Sequence, residues 1–429
     1  MKNPMRGTFR SLAVYNYRVW ASGSLVSNTG TWLQRTAQDW IVLTELTDHN
    51  STAVGIVMGL QFGPQLLMLP FTGFAADYFD RRKLLMVTQF LMGLLGLGLG
   101  LLTISGLVEL WHVYVFAFLL GCVAAFDAPA RQTFVSDLVP ESFLSNAIAL
   151  NSTSFNAARM IGPAVAGVLI AVVGTGWVFL LNAASFAGVL TSLVLIRRED
   201  LNVTRRPLRG RGNLVGGFRY VAGRPDIVVI MLMLFLIGTF GLNFPIFIST
   251  MAVTVFHSGA GQFGMLSSLM AVGTVMGALF SAQRATPQIG LLFYGALVFG
   301  LACILAAVMP SYGLFGASLV VIGMAALVFL SSSNGLIQLS TDPMMRGRVM
   351  AIRMAIVMGG TPIGAPIVGW VADHYGPRWA LGVAAVSGIA AALVALVYLF
   401  KYREMRFRRV DGRWRILVNE APKVTLAAE

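Results

Sequence analysis

Charge is scarce in this chain of 429 residues: Asp, Glu, Lys and Arg together make up 11% of it, against about 25% in soluble domains. Acids are the scarcer sign, 18 against 31 bases, for a net charge of +13. The two cysteines, Cys122 and Cys303, both fall inside apolar runs, so neither a disulfide framework nor a metal cluster is indicated. His49, His112, His257 and His374 are scattered and form no ligand spacing. There is no G-x-x-x-x-G-K-[ST] loop, which argues against ATP drive within this chain. No Ser/His, His/Glu or paired-acid constellation converges either, so no enzyme, metal or cofactor is expected. An excess of bases can mean nucleic acid, but that requires a basic face on a soluble module. Here the bases sit between apolar runs, and no nucleic-acid partner is expected.

What the chain has instead is apolar length. Hydrophobic residues are 57% of it, above the roughly 45–50% of soluble domains. Such a chain needs lipid as part of its solvent. Apolar runs are predicted as helices near Trp20–Leu46, Val54–Phe74, Leu84–Leu107, Trp111–Val135, Leu144–Val173 and Trp177–Ile196. A second set follows near Ile227–Val255, Phe263–Ser281, Leu291–Met309, Leu314–Ile337, Val349–Ala372 and Trp379–Phe400. Each is near the roughly 20 residues a bilayer requires. Met1–Arg18 starts basic, as a signal peptide does. The apolar region behind it is too long and is interrupted by Arg35 and Asp39, so it reads as an approach segment to a first span.

The bases fix an orientation. Alternate turns hold Arg81, Arg82 and Lys83, then the cluster Arg197–Arg224, then Arg284, Arg346 and Arg348, and finally the basic tail after Phe400. The opposite turns hold Glu45, Asp48, Glu109 and a single base, Arg378. Both termini are therefore expected in the cytoplasm. The long polar stretch 197–225 divides the chain into an expected six-helix bundle, 1–196, and a second, 226–400. A basic, surface-lying linker joins them and a basic tail, 401–429, follows. The halves repeat. Gly162, Gly167, Gly174 and Trp177 recur at Gly364, Gly369, Gly376 and Trp379, a constant shift of 202 (364 − 162). The glycine run Gly93, Gly96, Gly98 and Gly100 reads as helix packing on a lipid-facing span.

The densest signal is Gly73-Phe74-Ala75-Ala76-Asp77-Tyr78-Phe79-Asp80-Arg81-Arg82-Lys83, a charged turn between two apolar runs. It resembles the G-x-L-a-D-r-x-G-r-k loop between the second and third helices of major facilitator superfamily transporters. Gly73, Ala76, Asp77, Arg81 and Arg82 match; Ala75, Tyr78 and Asp80 depart. The run Arg159–Gly167 resembles the G-P-x-x-G-G motif of drug-exporting facilitators at Gly162, Pro163 and Gly167, while Ala166 replaces a glycine. A small-residue packing seam calls for the same glycines. The arginine of the exporters' R-x-x-x-G pattern falls on Ala117, so the coupling residues of those pumps do not carry over. Segments around Gly30–Trp40, Asp127–Gln132 and Arg346–Val349 are similar to the bacterial branch containing the enterobactin exporter and related macrolide or multidrug efflux permeases. The resemblance implies twelve transmembrane helices in two six-helix bundles, with a substrate site between them near the midplane.

Ionisable groups inside such spans cost roughly 2.5–3.5 kcal/mol each on insertion scales, so they mark sites. Arg35 and Asp39 share a helix face at four-residue spacing, with Asn28 and Trp32 on the same stripe; Gln34 and Gln38 are close by. They are either a self-paired anchor or part of the site. Asp127 and Arg131 repeat the spacing around Pro129. Asp127 is the preferred proton carrier, with Asp39 second. Arg159 lies on a stripe with Ser152, Asn156 and Pro163 and has no acid within a turn; Arg353 is its nearest counterpart in the second half. Substrate-cavity candidates are Asn28, Trp32, Gln34, Gln38, Asn156 and Asn243. Around the opening loop a cytoplasmic latch is expected: Asp77 against the positive end of the eleventh helix, and Arg81 against Asp137.

The expected function is therefore export of small, fairly apolar molecules across the bacterial inner membrane by proton antiport, by a monomer. Two alternatives stand beside it: a lysophospholipid or other lipid facilitator, and a non-transporting sensor or assembly protein on the same fold.

Overall fold

Two helices of the first bundle start on polar side chains lying just outside the apolar runs. The computed structural model describes residues 9–68, 71–72, 78–202, 214–283, 289–402, 406–410 and 413–417. The first bundle contains α1 (Tyr15–Thr44), α2 (Ser51–Leu67), α3 (Arg81–Ile104), α4 (Leu110–Leu138), α5 (Glu141–Val173) and α6 (Thr175–Leu195). The second contains α7 (Pro225–Val255), α8 (Ala260–Ala282), α9 (Ile289–Val308), α10 (Tyr312–Ser340), α11 (Arg346–Tyr375) and α12 (Pro377–Tyr402). The Asn50 side chain accepts the Ala53 N–H to start α2, and Asp80 accepts the Lys83 N–H to start α3. Asp80 departs from the facilitator loop pattern, and helix capping is its work here. Most helices begin two or three residues ahead of the apolar runs that announce them, within the polar turns.

Ten of these helices are long and apolar enough to cross a membrane. Neither α1 nor α2 is among the ten. α1 carries Asn16, Asn28, Gln34, Arg35, Gln38 and Asp39, which lower its hydropathy, and α2 is described for 17 residues only. Trp111, Trp177 and Trp379 stand exposed at the starts of α4, α6 and α12, all at one end of the molecule. That is the position of an interfacial aromatic belt. The other end gathers the bases. There Arg81 pairs with Asp137, and Asn16 exchanges hydrogen bonds with the backbone of Arg197.

The repeat in sequence is a repeat in contacts. α1 packs on α5 and α6 as α7 packs on α11 and α12; α3 packs on α4 and α6 as α9 packs on α10 and α12. Gly162 of α5 fits against Trp32 of α1, and its counterpart Gly364 of α11 fits against Thr239 of α7. Gly167 fits against Ala260 and Gly264 of α8; its counterpart Gly369 fits against Ser51 and Thr52 of α2. Gly174 and Gly376 end α5 and α11 at φ of 86° and 96°, the region where glycine carries no Cβ penalty. The glycine run of α3 does not face lipid. Gly93, Gly96 and Gly100 meet Phe186, Ala183 and Leu180 of α6, and Gly98 meets Phe116 of α4.

Two features are additions to the expected plan. A short helix, Leu214–Ala222, closes the linker at the foot of α11, where Gly217 packs on Arg348. Behind it Arg224 binds Asp226 through two nitrogens and donates to the carbonyl of Ser340. That bond with Asp226 raises the Arg224 pKa above its ordinary value. In the tail, Arg406–Val410 and Arg413–Leu417 pair as an antiparallel hairpin. Asp-Gly between two such segments is the hairpin signal in the sequence.

Candidate substrate cleft and its charged residues

One face of α5 shows where the two bundles part. Ser152, Asn156, Arg159, Pro163 and Gly167 follow one another at helical spacing on that face. Pro163 and Gly167 are covered by α8 of the other bundle, where backbone approaches backbone closely enough to exclude a Cβ. Ser152 and Asn156, toward the basic end, are exposed. Polar side chains at that depth cannot face lipid without cost. The stripe therefore leaves an interface at one end and enters a cleft at the other, with half-buried Arg159 at the transition.

The end away from the bases is closed by several cross-bundle contacts. Asp373, in the last turn of α11, accepts the backbone N–H groups of Ser51 and Thr52 at 2.7 and 2.8 Å and also the Thr52 hydroxyl. The first turn of α2 is thus capped by a carboxylate from the opposite bundle, where orphan donors and the helix dipole both favour negative charge. Trp40 of α1 stacks on Phe263 of α8 at 5.7 Å. Further along, Gly55 sits against Ala365 and Pro366, and Gly359 against Leu66.

Asp127 lies inside the first bundle, 5% exposed. One of its oxygens accepts the Thr88 hydroxyl at 2.8 Å and the Gln89 amide at 2.6 Å; the other accepts Arg131 Nε at 3.1 Å. Arg131 in turn donates to Asn28 at 3.0 Å and Ser24 at 3.2 Å, with its guanidinium 5.7 Å from the Trp20 ring. The network ties α1, α3 and α4 together, and Asn28 is committed to it.

The pair four residues apart on α1 behaves differently. Arg35 and Asp39 form no ion pair, although they share a face. The Arg35 guanidinium lies 5.0 Å from the Trp32 ring and 5.2 Å from the Phe62 ring of α2, and its Nε has no hydrogen-bond partner. Asp39 has no hydrogen-bond donor among the described residues. Trp32 meets Phe155 of α5 edge-on at 6.0 Å. Arg35, Trp32, Phe62 and Phe155 thus form one aromatic-lined recess, and Arg159 is one turn beyond Phe155.

The other expected positions fall as follows. Gln34 does not line the cleft: it accepts from Asn182 of α6, on the side of α1 turned away from Arg35. Asn243 is fully buried where α7 is broken, and donates to the Thr239 carbonyl, so it serves the break. Gln38 is buried with its Nε2 unpartnered, while Asn156 is exposed and bonds back to the Ser152 carbonyl. Arg353 donates to the Leu330 carbonyl of α10 at 3.3 Å and lies inside the second bundle. Arg82 is buried and donates to the carbonyls of Leu193 and Val194, capping the end of α6. Arg81 meets Asp137 at 2.7 Å, whereas Gly73, Asp77 and Arg284 lie outside the described residues, as do linker residues 203–213. Asp373 was not anticipated. An acid near the end of an apolar run looks like ordinary loop charge, and the available signal was that the 202-residue shift puts Ala171 at its place in the first half.

Residues 6–422 match the transmembrane secretion effector family of major facilitator transporters. The chain belongs to that family. Among its relatives, the staphyloferrin A transporter of Staphylococcus aureus (strain NCTC 8325 / PS 47) is 25% identical, over 90% of this chain and 96% of that protein. The multidrug efflux pump Tap of Mycolicibacterium fortuitum is 25% identical over 89% and 95%. The enterobactin exporter EntS of Salmonella choleraesuis (strain SC-B67) is 26% identical over 85% and 87%. Among solved structures, a bacterial homolog of the human lysosomal transporter Spinster, inward-facing and occupied, superposes with a TM-score of 0.69 at 16% identity, covering 91% of this chain and 97% of that one. The nucleoside transporter NupG superposes at 0.71 with 12% identity, covering 89% and 99%. At those identities the likeness is one of fold. The chain is a multi-pass protein of the bacterial inner membrane with the major facilitator fold.

Proposed function

We propose that this transporter exports small molecules from the cytoplasm by proton antiport, through alternating opening of the cleft at its two ends. The observation that carries the reading is the α5 face, packed on the opposite bundle at Pro163 and Gly167 and uncovered at Ser152 and Asn156. With the basic end cytoplasmic, this arrangement is open to the cytoplasm and closed to the outside. Opening the outside requires the Asp373 cap on α2 and the α5–α8 seam to part. Closing the inside brings the basic ends of the two bundles together; Arg81 is already paired with Asp137 of its own bundle while the inside is open, so that pair does not join the bundles.

Asp39 is the better proton carrier of the two intramembrane acids. Asp127 holds three donors and would have to give them up to take a proton; Asp39 holds none. While charged, Asp39 accepts a hydroxyl donor of the cargo. A proton arriving from outside occupies the same oxygen and releases the cargo there. The cargo and the proton therefore compete, which is the condition for antiport. The names of the relatives, two siderophore transporters and a drug pump, support export of molecules of that size. The test is made in proteoliposomes with a trapped pH-sensitive dye. Cargo added on the cytoplasmic side must drive proton movement into that compartment. Transport with no accompanying proton flux refutes antiport.

A further inference from the structure

We propose that the cargo carries an oxyanion, a carboxylate, catecholate or phosphate, taken by Arg35 and Arg159 at the aromatic recess between α1, α2 and α5. The inference deepens the export reading and rests on it for the direction of movement only. Three ion pairs between arginine and a carboxylate occur among the described residues: Arg81–Asp137, Arg131–Asp127 and Arg224–Asp226. Neither Arg35 nor Arg159 is in any of them. No hydrogen bond from Arg159 joins it to another described residue, and Arg35 Nε is a buried donor without an acceptor. Native proteins satisfy most such groups, so an open donor beside a second cation is a place for an acceptor to bind.

Arg35 stands one turn after Trp32 on α1 and Arg159 one turn before Gly162 on α5, so the two arginines flank a single contact between these helices. Trp32 touches Arg35 on its own helix, Phe155 through its ring, and Gly162 at its Cβ. Arg159 lies between Phe155 and Gly162 on α5, within a turn of both. Against these two cations the recess offers a single acid, Asp39, so it keeps an excess of positive charge. Arg35 is also presented in a particular way. Trp32 and Phe62 hold its guanidinium through cation–π contacts. Contacts of that kind leave the in-plane N–H fork for a planar oxyanion, which it meets through two hydrogen bonds. The rings then pack on an apolar or aromatic body next to that group. A cationic molecule of the same shape meets repulsion from two guanidiniums, and this discriminates against it.

The test uses the full chain in phosphatidylcholine nanodiscs and three ligands with one aromatic body: 1-naphthoate, 1-naphthalenemethanol and 1-naphthylmethylammonium. Calorimetric titration is expected to show naphthoate binding about tenfold or more tighter than the other two. Arg35→Gln and Arg159→Gln should each lose about tenfold in naphthoate affinity while leaving the neutral alcohol unchanged, which also shows that the variants are folded. Arg35→Lys should recover part of the loss, since it restores charge without the fork. Lysophosphatidylglycerol distinguishes the source of the anion. If its binding falls in the same variants, the oxyanion includes a lipid headgroup; if only naphthoate responds, the cargo is soluble. The proposal is overturned if the ammonium binds as tightly as naphthoate, or if the double Arg35→Gln, Arg159→Gln variant keeps wild-type naphthoate affinity. Vesicle uptake separates this from the export reading. Naphthoate bound but never moved sinks the transport claim and leaves the recess intact.

Discussion

Asp127–Arg131 and Arg35–Asp39 have the same spacing and opposite order, and the structure treats them in opposite ways. Side chains on a helix slant back toward its start. Arg131, placed after its acid, reaches back onto Asp127 and makes a 3.1 Å bond. Arg35, placed before its acid, slants away from Asp39 and settles on Trp32 and Phe62. The same order dependence is known for exposed helical pairs. Inside a membrane its consequence is larger, because a charge left unpaired there has little water to turn to. The first pair joins α1, α3 and α4. The second, in the function proposed above, is the one that meets cargo and proton.

The sharpest break between them is in stability. Asp127→Ala leaves Arg131 buried without a counter-charge and is expected to cost about 3–5 kcal/mol. A thermal-shift assay in detergent should show a large fall in unfolding temperature, while Asp39→Ala stays near wild type. Equal losses for the two variants would erase the distinction. A third carboxylate sharpens it. Asp373 is saturated, but by backbone N–H groups of the opposite bundle, so Asp373→Ala should act on conformation. Loss of a cap costs about 1 kcal/mol, which shifts a two-state balance about fivefold. Ser268 lies one turn beyond Gly264 on α8; with Cys122 and Cys303 replaced, an impermeant maleimide added outside should label a Ser268→Cys probe there about fivefold faster when Asp373 is Ala. Reversing the order on α1, with Arg35→Asp and Asp39→Arg together, should create the missing pair. It is expected to add about 0.3–0.5 kcal/mol of stability and to abolish naphthoate binding. The smallest effect is for Arg131→Lys, which keeps the charge but loses the fork that joins Asp127 to Asn28. About 1 kcal/mol is expected, read in the same thermal assay.

The helices and the pairing of the two halves were legible because apolar length and the 202-residue shift are properties of the chain itself. Which way a polar side chain turns is a property of its neighbours. Gln34 and Arg35 are adjacent on α1, yet one is bound to α6 and the other faces the recess. Asn243 reads like any intramembrane amide until the break in α7 encloses it. Arg82 matched a loop signature and proved to cap α6. Asp373 needed the other bundle in place before its acceptor role existed at all. Rotation of each helix, and contacts between bundles, are therefore the parts that local pattern did not contain.

Proton coupling at Asp39 is tested most directly in vesicles holding a pH gradient, comparing Asp39→Asn with the wild type. Asp39→Asn is expected still to bind cargo and exchange it across the membrane, but no longer to concentrate it at the expense of the gradient. Gradient-driven accumulation undiminished in folded Asp39→Asn would contradict it.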